Sequence, residues 1–144
     1  HCDIVYASTN AKFSLPFSQL GLCPEAASSL LLPRTAGYQR AAEKLLLGEA
    51  FDVNEAIRMG FVNGAIDAGE LDAYAFDKAK RLAMLPASSL RVTKSLMKGA
   101  QTHEVSARME DEAAHFARML VAPEAREAFQ AFFEKRKPSF SQFE

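Results

Sequence analysis

Apolar positions follow two regimes along this chain. Up to residue 66 they come in short runs separated by turn formers; from residue 70 onward they recur every three or four positions. Cys2-Asp3-Ile4-Val5-Tyr6-Ala7 has the character of a buried strand, Ser8-Thr9-Asn10 of a turn, and Lys12-Phe13-Ser14 of a short extended piece stopped at Pro16. Phe17 to Pro24 reads as an apolar loop. Pro24-Glu25 suits the entry to a helix over 26–32, which Pro33 ends. Thr35 is the expected cap of a helix running to Leu47, where Gly48 stops it, and Asp52 or Asn54 caps a shorter one that ends at Met59-Gly60. Phe61-Val62 is then an expected short strand leading into a turn at Asn63-Gly64.

Beyond this point the periodicity predicts only helices, over 70–85, 87–99, 104–121 and 124–136, with Pro86, Gly99, Pro123 and Pro138 as stops. The third carries Val105, Met109, Ala113, Phe116 and Leu120 on one stripe, and the last carries Ala125, Ala128, Phe129, Phe132 and Phe133. Such stripes mark core or a subunit interface. The pattern therefore divides into an α/β part, 1–66, and an all-α part, 67–144.

Composition adds mainly exclusions. The 144 residues are 49% hydrophobic and 24% charged, an ordinary globular balance. Seventeen basic against eighteen acidic residues leave a net charge of -1, which offers no general attraction to nucleic acid or an anionic membrane. No apolar run reaches the roughly 18 residues of a membrane-spanning helix, and a cytoplasmic location is the expectation. Cys2 and Cys23 are expected to be buried free thiols. The chain opens on His1 and runs at once into a strand-like segment with no earlier partner, which implies a longer polypeptide.

Among candidate chemistries, GxGxxG, phosphate-loop, HExxH and GxSxG patterns are missing, and His1, His103 and His115 are too scattered to suggest a metal site. Ser28-Ser29 has no base in local reach and reads as packing hydroxyls. The unusual segment is Leu20-Gly21-Leu22-Cys23-Pro24-Glu25-Ala26-Ala27, in which one carboxylate sits among small and apolar residues. Burial there would raise its pKa and suit it to take and return a proton. A charge stabilising a helix N-terminus accounts for Glu25 at least as well.

Cys2-Asp3-Ile4-Val5-Tyr6-Ala7-Ser8, Phe13-Ser14-Leu15-Pro16-Phe17 and Leu20-Gly21-Leu22-Cys23-Pro24-Glu25 together resemble the enoyl-CoA hydratase/isomerase, or crotonase, family. Gly48-Glu49-Ala50-Phe51, Glu55-Ala56, Gly60-Phe61-Val62-Asn63 and Ala131-Phe132-Phe133-Glu134-Lys135-Arg136-Lys137-Pro138 extend the resemblance over essentially the whole chain. It implies the second half of a crotonase ββα spiral core at 1–66, followed by a helical oligomerisation module at 67–144 that assembles a homotrimer or hexamer. It also implies an acyl-CoA substrate, with coenzyme A as part of that substrate and no separate cofactor or metal.

Hydratases of the family resemble one another in using two glutamates, one upstream of the first strand and one directly after the proline matched by Pro16. Phe17 stands at that second position, and a phenyl ring cannot activate water. Pro16-Phe17 with Glu25 instead resembles the Δ3,Δ2-enoyl-CoA isomerase branch, in which the glutamate matched by Glu25 shuttles a proton from C2 to C4. The resemblance implies oxyanion-hole donors upstream of His1, so the 144-residue chain alone is expected to be inactive. Leu15, Phe17, Leu20 and Leu22 are candidates for the acyl pocket or plain core. Phe132 and Lys135 are implied contacts to a neighbouring subunit's CoA, although a solvated cluster explains Lys135-Arg136-Lys137 almost as well. Another crotonase reaction such as hydration, and a non-catalytic CoA-binding module, are the alternatives.

Overall fold

The computed structural model describes residues 1–143. As the pattern implied, the chain is mixed α/β: among the described residues four short strands all precede residue 67, and every later element is helical. Two compact units form, His1–Phe13 with Phe51–Glu104, and Ser14–Ala50 with Val105–Glu144.

In the first unit, β1 (Tyr6–Ser8) pairs in parallel with β4 (Gly64–Ile66), and β2 (Lys12–Phe13) pairs antiparallel with β3 (Phe51–Asp52). The expected strand over 2–7 is thus shorter, and the one expected at Phe61-Val62 lies instead at 64–66. Asn63 explains the shift. Its backbone N–H donates to the Val5 carbonyl and its side-chain Oδ1 accepts the Val5 N–H, both at 2.7 Å, so this pairing begins with a side chain rather than a ladder. Residues 2–4 are exposed, with Asp3 held by Lys94 and Lys98 at 2.5 and 2.8 Å.

Asp52 caps α3 (Val53–Arg58) as expected, accepting the Glu55 N–H at 2.9 Å. Val53, Ala56, Met59 and Val62 are buried, and Phe13, Phe51 and Phe61 form a cluster with ring centroids 5.6–6.1 Å apart. Helices α4 (Leu71–Ala83) and α5 (Ala87–Lys98) follow; Tyr74 of α4 meets the Tyr6 ring edge-on at 4.9 Å.

The second unit contains α1 (Ser28–Ala36), α2 (Tyr38–Leu47), most of α6 (Thr102–Leu120) and α7 (Pro123–Phe133). Pro33 does not end α1. It is accommodated inside the helix, which continues to Ala36, and Thr35 is no cap, because its hydroxyl donates back to the Leu31 carbonyl at 3.0 Å. The break comes at Gly37, whose φ of 82° and ψ of 152° lie where residues with a Cβ rarely go.

Of the last helical stripe, Ala125 and Ala128 are buried, as is Ala131 outside the stripe, while Phe129, Phe132 and Phe133 are exposed. The alanines serve close packing. A short 3-10 turn at Ser18–Leu20 approaches α7 so tightly that a Cβ on Gly21 would stand 2.9 Å from the Glu124 carbonyl carbon. The thiols depart from expectation: Cys2 is exposed and Cys23 half-buried, both free. Burial still pushes the Cys23 thiol up from its usual pKa. Among the described residues no helix is long and apolar enough to cross a membrane, and no group of three or more His, Cys, Asp or Glu could hold a metal ion.

Candidate active site

The loop carrying Glu25 is shaped by two alanines. Ala26 and Ala27 both have a φ of 57°, and the Glu25 carbonyl accepts the Ser28 N–H at 3.0 Å. Positive φ at both central residues is the signature of a type I′ turn, which usually needs Asn or Gly there. Each left-handed alanine costs about 1–2 kcal/mol. The expected helix start at Ala26 is therefore displaced to Ser28, because the two residues before it turn with the opposite hand.

An offsetting interaction comes from α6. Glu112 is only 5% exposed, and its carboxylate accepts the Ala27 N–H at 2.6 Å and the Ser29 N–H at 3.0 Å. Ala27 offers no side-chain cap of its own, so a residue distant in sequence satisfies the first turn of α1. Hydrogen bonds to a charged acceptor contribute about 1.5–3 kcal/mol each, enough to hold the strained turn. A carboxylate at this end of a helix is also favoured by the backbone dipoles.

Glu25 itself is exposed, contrary to the reading that burial would act on it; the buried carboxylate of this region is Glu112. Glu25 and Ala26 form one side of an open cleft of about 440 Å³, and Met109, Ala113, Phe116, Ala117 and Leu120 of α6 form the rest. Glu25 is the sole titratable group among these residues. The other candidates lie elsewhere. Leu22 is buried, Leu15, Phe17 and Leu20 are half-buried, and none of them lines this cleft. The Phe17 carbonyl accepts the N–H groups of Leu20 and Leu22 at 3.0 and 2.8 Å, shaping the loop before Glu25.

Phe132 is 73% exposed and meets the Phe133 ring edge-on, with centroids 5.8 Å apart. Lys135 has a φ of 54°. Its N–H donates to the Phe132 carbonyl and the Arg136 N–H to the Ala131 carbonyl, at 3.2 and 3.0 Å. This is a Schellman ending with lysine in the place glycine usually takes. Arg136 is braced by Glu127 and Glu134, and Glu127 also accepts the Ser139 N–H at 2.8 Å. The guanidinium and that N–H hold the Glu127 carboxyl down at about 2, and the pairs raise the pKa of Arg136.

Sequence reasoning missed the α6 side of the cleft and Glu112. The stripe of Met109, Ala113, Phe116 and Leu120 was visible as core or interface. Glu112, one turn from both Met109 and Phe116, reads in the sequence as one more surface charge of Met-Glu-Asp-Glu.

A family model described as enoyl-CoA hydratase/isomerase matches residues 1–143. Enoyl-CoA delta isomerase 2 of Rattus norvegicus is 34% identical over 136 residues, covering 94% of this chain and 34% of that protein. A mevalonyl-coenzyme A hydratase of Aspergillus fumigatus is 37% identical over 144 residues, covering 97% of this chain and 53% of that protein. The crystal structure of an enoyl-CoA hydratase/isomerase from Pseudoalteromonas atlantica matches with a TM-score of 0.94 at 42% identity, over 98% of this chain and 57% of that one. The chain thus spans about half the length of these relatives, or less. A match along all but the last residue, at this identity and with this fold, means that the chain belongs to the enoyl-CoA hydratase/isomerase, or crotonase, family.

Proposed function

We propose that the protein, at its full natural length, moves the double bond of a 3-enoyl-CoA to the 2-position, with Glu25 as the single acid and base. The observation that carries this reading is the cleft in which Glu25 is the one titratable group on an otherwise apolar lining. Such a site suits an acyl chain and one proton transfer partner. Glu25 removes a proton from C2, leaving a dienolate conjugated with the thioester, and returns it to C4. The step is redox-neutral and needs no cofactor beyond the coenzyme A already on the substrate. The product is a 2-enoyl thioester, the form of substrate that β-oxidation takes up.

Phe17 supports isomerisation over hydration, since it puts a phenyl ring after Pro16 where a second carboxylate would be needed to activate water. Hydration keeps a place as the second reading because several similar proteins are hydratases by name. Phe132 and Lys135 are assigned to the CoA nucleotide of a neighbouring subunit in a trimer or hexamer. The ring is exposed as stacking requires, and the exposed phenylalanines of α7 offer apolar area for assembly. Assaying the full-length protein side by side with 3-enoyl-CoA and 2-enoyl-CoA tests the reaction. Bond migration without water addition is expected; hydration as the faster reaction would overturn it.

A further inference from the structure

We propose that Glu112 is the positioning residue for Glu25, acting from α6 on the backbone at either side of it; this deepens the isomerase reading and rests on it. Two residues before Glu25, the Cys23 thiol donates to the Glu112 backbone carbonyl at 3.7 Å, and two residues after it, the Ala27 N–H donates to the Glu112 carboxylate at 2.6 Å. One residue therefore brackets the Glu25 loop from both ends, while its helical neighbours Met109, Ala113 and Phe116 form the facing wall of the cleft. The wall against which an acyl chain would lie and the tie that sets the carboxylate are parts of one rigid helix.

The bracket selects a backbone state that the local sequence does not favour. Alanines at 26 and 27 would ordinarily avoid positive φ, and the helix beginning at Ser28 has no capping side chain next to it. Without the Glu112 carboxylate, the Ala27 and Ser29 N–H groups lose the acceptor that holds them, and the turn is free to relax toward right-handed backbone. Glu25 would then leave the turn in another direction. Small displacements of a proton-transfer group are costly to rate while leaving binding of the rest of the substrate intact. A plain helix cap would behave differently, lowering stability without touching turnover per folded molecule.

The test compares Glu112→Gln and Glu25→Gln in the full-length protein, measuring kcat and KM for a 3-enoyl-CoA together with the melting temperature. Gln keeps the shape of Glu112 but can accept through only one oxygen and presents an NH2 to the second N–H. The expected result is a folded Glu112→Gln protein with kcat down by about 10- to 100-fold and KM little changed. Adding Ala26→Gly should restore part of kcat, since glycine adopts the left-handed turn freely. If Glu112→Gln folds poorly, Glu112→Asp, which keeps the charge but draws the oxygens back, is read by the same two constants. Wild-type kcat in the folded Glu112 variant, with Glu25→Gln inactive, overturns the positioning role and leaves the reaction standing. An active Glu25→Gln brings down the reaction reading itself.

Discussion

Gly21 and Glu124 touch backbone to backbone: a Cβ on Gly21 would lie 2.9 Å from the Glu124 carbonyl carbon and 3.0 Å from the Ala125 nitrogen. Gly21 also has a φ of 66°, so it is required twice, once by conformation and once by space. The contact fastens the start of α7 to the loop that leads into Glu25. Gly21→Ala is expected to destabilise the protein by about 2–5 kcal/mol, the sum of a left-handed alanine and an overpacked backbone contact. The midpoint of urea unfolding measures it, and an unchanged midpoint would contradict the packing described.

The end of α7 makes a pH-dependent contribution. Glu127, braced by Arg136 and the Ser139 N–H, titrates at about 2 rather than at its usual 4.5. A carboxylate with a lowered folded-state pKa binds protons more weakly folded than unfolded, so its contribution is complete above 4.5 and disappears as the pH falls toward about 2. Wild type should therefore be more stable than Glu127→Gln at neutral pH, and the gap should close across that acid window. Urea midpoints of the two proteins from pH 7 down to 2 give the curve; a gap independent of pH would mean that the pair contributes nothing.

What the sequence revealed and what it hid divide on local against distant causes. The helices from 71 to 133 follow from apolar periodicity and proline stops, and the Asp52 cap from a side chain three residues from its partner. Pro138 points to an end of α7 at 136, whereas the chain turns at Lys135, which lacks the glycine signal of a left-handed cap. Pro33 reads in the sequence as a terminator because local chemistry disfavours proline inside a helix, yet α1 runs through it. At the candidate site, Glu25 stands out in the sequence through its small and apolar neighbours, although the burial they suggest is not found. Glu112 does not stand out, since its role depends on amides 85 and 83 residues away.

The exposed ring of Phe132 gives the proposed CoA contact a direct test. Stacking of a base on an aromatic side chain contributes about 1–3 kcal/mol, and every 1.4 kcal/mol is about tenfold in affinity. Phe132→Ala in the full-length protein should raise KM for acyl-CoA by about 5- to 100-fold while leaving kcat close to wild type. The ring is exposed on α7, so folding should be unaffected. Unchanged KM would remove Phe132 from the nucleotide site, and a fall in kcat alone would point to the acyl end instead.

Glu25→Gln and Phe17→Glu, made as separate variants, distinguish the acid/base role from the choice of reaction. Gln keeps the shape of Glu25 and can still hydrogen-bond, yet it cannot take up and return a proton at neutral pH. Loss of a positioned acid/base costs about 10²–10⁴-fold. The upper end is expected here, because no other titratable group lines the cleft to substitute for it. Acyl-CoA binding should persist, since the contacts assigned to the nucleotide, Phe132 and Lys135, are in α7 and just beyond its end. In a protein that retains Glu25, Phe17→Glu restores a carboxylate next to Pro16, and measurable hydration of 2-enoyl-CoA should appear alongside isomerisation. The Phe17 carbonyl helps to hold the loop through Leu20 and Leu22, and the substitution leaves those backbone bonds in place. Full isomerase turnover by Glu25→Gln would end the assignment of Glu25. If Phe17→Glu folds but adds no water, Phe17 is not what decides between the two reactions, and that choice lies with other residues.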